Sequence, residues 1–204
     1  MTTEPAFRNA KYEATGETRE WLGRTLHRIR AVSDNAERGV VAGTLGGWIE
    51  REENLQVSGD AWVSGNAWVY GNAWVSGNAW VFGNARVHGN AQVSGGAWVY
   101  SDARVSSNAR VHGDAWVSGN AWVYGNAWVS GKIIAATRSD GYTFLVTDTT
   151  DGLRIIAGCH YSTFEQARAH WTETRGGTQL GDESLALVDH LERMAAICKL
   201  GETA

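Results

Sequence analysis

The chain has 204 residues, of which 43% are hydrophobic and 20% charged, and its formal net charge is −4. This balance gives no general attraction to nucleic acid or to an anionic membrane, and no run of 18 apolar residues offers a transmembrane helix. Cys159 and Cys198 are too few for a disulfide framework and lack metal-site spacing, so both are expected to be reduced and partly buried.

The N-terminal stretch lacks the apolar centre of a signal peptide, which makes the cytoplasm the expected location. Residues 1–54 read as a β cap. Residues 25–32 alternate as a strand, with Leu26 and Ile29 on different faces, and Asp34-Asn35 reads as a turn. Residues 43–49, with three glycines and Trp48, are expected to bend the chain into the next segment.

From Leu55 to Lys132 the sequence repeats every six residues, as in Ala67-Trp68-Val69-Tyr70-Gly71-Asn72. There are 13 units without insertion or deletion, and a six-residue period of that length marks a solenoid. Ala and Val alternate with Trp and Ser or Tyr, so each unit holds a short strand, and Gly-Asn supplies the positive φ of a sharp corner. The small Ala–Val face cannot make a core within one unit, but it can when stacked on copies of itself.

The Val position with a small Ala two residues earlier resembles the hexapeptide repeat of parallel β-helices. That resemblance implies an all-β solenoid, a left-handed parallel β-helix shaped as a triangular prism of about four 18-residue coils. The left hand comes from the family, since parallel crossovers are otherwise right-handed. Residues 18 apart then stack. The first face carries Trp62, Trp80, Trp98 and Trp116, with Phe82 and Tyr100 alongside. The second carries Trp68, Arg86, Arg104 and Trp122, flanked by Tyr70, His88, Ser106 and Tyr124. The third carries Gln56, Trp74, Gln92, Arg110 and Trp128, flanked by Ser58, Ser76, Ser94, His112 and Ser130.

The first face is an aromatic ladder larger than the apolar patch a soluble monomer normally shows. It reads as a homo-oligomer interface, with a trimer favoured by the habit of the family, or as a strip for another partner. A third reading confines it to cross-strand stacking. Arg86, Arg104 and Arg110, with His88, His112, Trp68, Trp122, Tyr70 and Tyr124, form the candidate ligand set: guanidinium to phosphate and ring to base. The competing reading makes them ordinary polar substitutions that keep the surface soluble.

Residues 133–204 break the period and read as a small α+β cap. Strands are expected at 133–137, 142–147 and 153–157, with turns at Ser139-Asp140-Gly141 and Asp151-Gly152. Ser162-Thr163-Phe164-Glu165 reads as a capping box opening a helix to about Thr174, with Phe164, Ala167 and Trp171 on one stripe. Gly176-Gly177 stops it. Asp182 is the expected cap of a second helix running to about Leu200, apolar along Leu187, Leu191, Met194 and Cys198.

No catalytic residue, metal site or cofactor is expected. The acyltransferases of the resembled family set a catalytic His beside a loop inserted between coils, and these units contain no insertion. Its carbonic-anhydrase-type members need three His ligands, and the repeat has only His88 and His112. Cys159-His160 are strand neighbours that point apart, and no phosphate-loop or nucleophile-elbow motif is present. Residues 23–31 and 42–50, with 159–171 and 181–185, are similar to the ends of repeat proteins of phages and prophages. That likeness implies an accessory protein acting in the host bacterial cytoplasm. Three functions remain: a non-enzymatic oligomeric binder, such as a counter-defence protein sequestering a nucleotide immune signal; a virion or filament scaffold; and a hexapeptide-type acyltransferase.

Overall fold

Each unit folds as a two-residue strand followed by a corner, because two inward side chains per turn are all that a narrow prism can hold. The computed structural model describes residues 6–131, 133–149, 152–158 and 160–201. A hairpin of β1 (Tyr12–Trp21) and β2 (Arg24–Ala31) leads to β3 (Leu45–Ile49). Twelve two-residue strands follow, from β4 (Trp62–Val63) to β15 (Trp128–Val129), each six residues after the last. They stack in three parallel sheets, with Trp62 beside Trp80, Trp68 beside Arg86 and Trp74 beside Gln92. Every fully regular pair is therefore 18 residues apart, and the expected parallel β-helix of four coils is present.

The inward Ala and Val of these coils are essentially inaccessible from Ala61 to Val129. Up to three such main-chain bonds per unit join neighbouring coils: Trp80 N–H donates to Ala97 at 2.8 Å, Phe82 N–H to Val99 at 3.0 Å, and Asn84 N–H to Ser101 at 2.8 Å. The left-handed corner residue is a glycine, as at Gly89 (φ 71°), or the serine that replaces it at Ser101 (φ 59°) and Ser107 (φ 60°); the asparagines keep negative φ. Asn72, Asn90, Asn108 and Asn126 instead bond side chain to side chain up one edge, at 3.1, 3.0 and 3.0 Å.

The first repeat unit departs from the expected phase. Leu55 pairs with Val75 rather than stacking at the Ala position, and the Gln56 N–H donates to Val75 O. Leu55 thus takes the inward Val place and is 1% exposed, while Val57 is 41% exposed. Gln56 falls in line with Ser76, two residues away from the expected Trp74. Ser58 leaves the Ser76 row with it. The cause is the bulkier Leu55, which fills the open N-terminal end better than Val57 in a prism otherwise packed with Ala and Val.

Two neighbouring side chains fix this irregular turn. Lys11 Nζ donates to the carbonyls of Gln56 (3.1 Å) and Gly59 (2.9 Å). The fully buried Tyr12 places its hydroxyl between the carbonyls of Glu52 and Leu55. Leu26 and Ile29 are both buried and on different faces, as the alternation requires. Ile29 joins the prism core and Leu26 packs with Trp48 and Tyr70 outside it. Residues 43–49 do more than bend the chain: β3 pairs antiparallel with β2 and parallel with Trp68-Val69, so the cap extends the second face's sheet to seven strands.

The C-terminal sheet has four strands: β16 (Ile133–Thr137), β17 (Thr143–Thr149), β18 (Gly152–Ala157) and β19 (His160–Ser162). The fourth was not legible as a strand, being three residues long. β17 lies against the last coil, and its Leu145, with Ile156 of β18, completes the prism core. Helix α1 (Phe164–Arg175) starts one residue later than expected, capped by Thr163 with Gln166 rather than by Ser162 with Glu165. Helix α2 (Gln179–Ile197) is capped by Thr178, so Asp182 sits in its first turn. Its buried stripe is Gly181, Ser184, Val188, Leu191 and Ala195, leaving Leu187 and Met194 at the margin and Cys198 exposed. Lys132, Asp151 and Cys159, named above, lie outside the described residues.

Two predictions follow from the corners and the end. Ser107 holds a left-handed conformation (φ 60°), and a Cβ added at Gly89 would lie 2.8 Å from its backbone nitrogen. In urea unfolding, Ser107→Gly is expected to raise stability by about 0.5–1 kcal/mol, the left-handed penalty less the glycine entropy cost. Gly89→Ala is expected to lower it by more than about 1 kcal/mol. Burial lowers the Lys11 pKa to about 8, with Asp60 opposing and Arg38 adding to the shift. Between that value and the free lysine value the unfolded chain binds more protons, so this group's contribution to stability rises with pH. The rise should be measurable from pH ~8 to ~10, where the buried Tyr12 phenol begins to act the other way, and Lys11→Met should abolish it.

Candidate functional site

The second face is one continuous column in which Trp48, Trp68, Arg86, Arg104 and Trp122 pair in turn across parallel strands. Neighbouring rungs are ~4.8 Å apart, so flat side chains in such a column must stack. Arg86 lies over the rings of Trp68 (4.6 Å) and Trp21 (5.2 Å), and Arg104 over Trp122 (5.4 Å). The β1–β2 hairpin folds along the same sheet. It brings Trp21 edge-on to Trp68 at 5.3 Å and Arg19 over Trp48 at 4.1 Å.

Arg19, Trp68, Arg86 and Arg104 line a groove of about 330 Å³ together with Asn66, Asn84 and Asp102. Among the described residues Arg19, Arg86 and Arg104 make no ion pair. Their charges are held in place by indole faces, which do not neutralise them. Asn66, Asn84 and Asp102 form the edge of the groove. Asn66 donates to Asn84 at 3.5 Å and Asn84 to Asp102 at 3.2 Å, so the one carboxylate there already accepts a bond.

Of the candidate ligand set, Trp68, Arg86 and Arg104 meet in this groove. Trp122 and Tyr124 line an adjoining hollow of about 320 Å³ with Asn120, Asp140, Gly141, Tyr142, Thr143 and Gly158. Tyr70 does not take part, because it is buried with Leu26 and Trp48 under the hairpin. His88 stacks on Tyr70 at 5.0 Å, and burial, reinforced by Arg104 and Arg86, lowers its pKa; it is a neutral packing group rather than a charged one. Arg110 and His112 stand on the third face, apart from the groove. Arg110 lies over Trp128 at 5.2 Å, and the Trp128 indole N–H donates to His112 Nε2. Burial and then Arg110 lower the His112 pKa. Among the described residues no three His, Cys, Asp or Glu side chains converge as a metal site would require.

Arg19 and Trp21 were missed by sequence reasoning because they precede the repeat. The available signal was Gly23 between two alternating runs, which marks a tight hairpin; Leu22 (φ 48°) and Gly23 (φ 72°) form its turn.

On the first face the expected ladder is shorter than the sequence suggested. Trp62 is 1% exposed and belongs to the prism-end core with Val40, so it is not available to a partner. Asn35 bonds the Asp60 carbonyl and Arg38 reaches over Trp80, so the 35–40 loop lies along this end. The rest of the ladder is continuous: Trp80 meets Trp98 edge-on at 5.5 Å, Trp98 stacks on Trp116 at 5.4 Å, and Phe82 stacks on Tyr100 at 4.9 Å. Trp116 ends it, 54% exposed.

Two stretches of this solenoid, residues 55–71 and 115–131, match the family model described as the YdcK beta solenoid repeat. They are the first and last parts of the repeat. The match supports a β-helix repeat family for that portion of the chain. No curated protein matches the chain. No described helix is long and apolar enough to cross a membrane.

The unequal burial of the first-face indoles gives a direct check. Trp62→Ala should cost about 3–5 kcal/mol in chemical unfolding, as for a large aromatic removed from a core. Trp116→Ala should cost about 1 kcal/mol, the loss of one aromatic pair.

Proposed function

We propose that this chain is a non-enzymatic binding protein whose second face takes a nucleotide-like anion. One observation carries the reading: three guanidinium groups without an ion-pair partner among the described residues, Arg19, Arg86 and Arg104, line a single groove with the Trp68 indole, each stacked on an indole face. Guanidinium forks suit phosphate oxygens, and indole faces suit bases without demanding a particular one. Asp102 at the edge is an acceptor suited to a sugar hydroxyl. The absence of a chemical step is supported by the uninterrupted coils and by the placement of His88 and His112 on different faces, both in packing contacts.

The likeness of the flanks to phage and prophage proteins extends the proposal to a counter-defence role, capture of a nucleotide immune signal in the host bacterial cytoplasm. A second reading, an assembly element, is favoured by the first-face ladder from Trp80 to Trp116, which offers a flat aromatic strip to another copy, a trimer being the assembly that the habit of the resembled family favours.

Isothermal titration against ADP-ribose and cyclic dinucleotides tests the first reading. Binding is expected to at least one, weakened about tenfold or more in Arg86→Ala and in Arg104→Ala, the loss of a charged hydrogen bond each. Absence of heat from every probe overturns it. Light scattering then separates a closed small oligomer from the open or large assemblies of a scaffold.

A further inference from the structure

The two hollows on the second face lie end to end. The column Trp68, Arg86, Arg104, Trp122 runs through both, so Arg104 is one rung (~4.8 Å) and Arg86 two rungs from the Trp122 ring. Trp122 is 50% exposed, and the hollow beside it is closed by residues of another element altogether: Tyr142, Gly141 and Gly158 from the C-terminal sheet. Asp140, on the same rim, is bonded twice by Arg138, at 2.9 and 2.7 Å, which holds its carboxyl pKa down at about 2 and offsets its charge. Along the face, then, the cationic subsite sits toward the N-terminal end, and an aromatic subsite sits at the junction of the last coil with the cap.

From this order we infer the class and direction of the ligand. It is a nucleoside carrying at least two phosphates in line, with its base on Trp122 between the coil and the C-terminal sheet and its phosphates running back over Arg104 and Arg86. The inference rests on the proposed anion-binding role of the groove and adds two statements to it. The C-terminal cap supplies one wall of the base subsite, so the cap has a part in recognition besides closing the prism. A second phosphate is recognised, because three guanidinium forks line the groove, more donors than the free oxygens of one phosphate accept, and the second phosphate takes the remainder. Gly141 and Gly158 edge the hollow without a side chain, which leaves room beside Trp122 for a flat base.

The experiment is calorimetric titration of the full chain with adenosine, AMP, ADP and inorganic pyrophosphate. ADP is expected to bind at least about tenfold more tightly than AMP, one charge-assisted contact, and adenosine most weakly. Trp122→Ala should weaken ADP by more than about tenfold, the loss of one base–aromatic stack together with the indole that orders Arg104, and weaken pyrophosphate by only about two- to fivefold, the loss of that ordering alone. Arg104→Ala should weaken both. Trp122 is half exposed, so its variant is expected to fold, and thermal unfolding checks this alongside; Trp122→Phe should restore most of the ADP affinity. If Trp122→Ala leaves ADP binding intact while Arg86→Ala abolishes it, the base subsite is wrong and the anion groove stands. Equal affinity for AMP and ADP overturns the two-phosphate statement alone. If neither ADP nor pyrophosphate binds, the inferred ligand class and direction fall; the anion-binding reading falls with them only if ADP-ribose and the cyclic dinucleotides also give no heat.

Discussion

The stacking of Ala and Val on copies of themselves governs the rest of this molecule. A prism whose interior admits one Ala and one Val per side cannot tolerate a one-residue change of phase between neighbouring coils, since that shift would turn indoles inward. Eighteen-residue register follows, and with it the vertical alignment of every outward side chain. The corner glycines serve the same end. Their Cα atoms face the next coil so closely that a Cβ at Gly59 would lie 2.5 Å from the Gly77 carbonyl oxygen, so the main chain itself sets the rung spacing.

That alignment turns substitutions into sites. An arginine in place of tryptophan would be a solubilising change on an isolated strand. On this ladder it lands over the indole of the coil before or after, at 4.6 to 5.4 Å, and acquires a fixed direction. Cation–π contact of this kind contributes only about 0.5–1 kcal/mol at an exposed site, but it orders a long side chain that would otherwise lose entropy on meeting a phosphate. Preorganised charge beside an aromatic wall is therefore a by-product of repetition, available wherever two units depart from the consensus in the same column.

The ends obey different physics from the coils. Each opens the core and the strand edges, and each is closed by larger apolar residues and by hydrogen-bond partners, side-chain donors at the N-terminus and the Asp148 carbonyl, accepting from the Ser130 N–H, at the C-terminus. At the N-terminus these are Leu55 with Lys11 and Tyr12; at the C-terminus they are Leu145 and Ile156, with the strand β17 laid against the last coil. Closure stops the strand edges from templating further copies end to end. It also carries non-repeat residues onto the second face, where Arg19 and Tyr142 complete what the coils begin.

Period and residue size alone determined the prism: the six-residue unit, the inward Ala and Val, the 18-residue stack and the three rows of outward residues can all be read by counting. They can be because each contact involves a residue at a fixed sequence distance. The same counting placed Arg86 and Arg104 in one column with Trp68 and Trp122, and put Arg110 on another face. Tertiary structure decided the remainder. The slip at Leu55 depends on how a hairpin forty residues earlier fills the prism end, and the burial of Trp62 and Tyr70 depends on a loop and a strand that lie over them. Arg19 and Tyr142 reach the groove only because the two caps fold back onto one face. Those contacts join segments with no common period, so their distances in space have no counterpart in the spacing of the sequence.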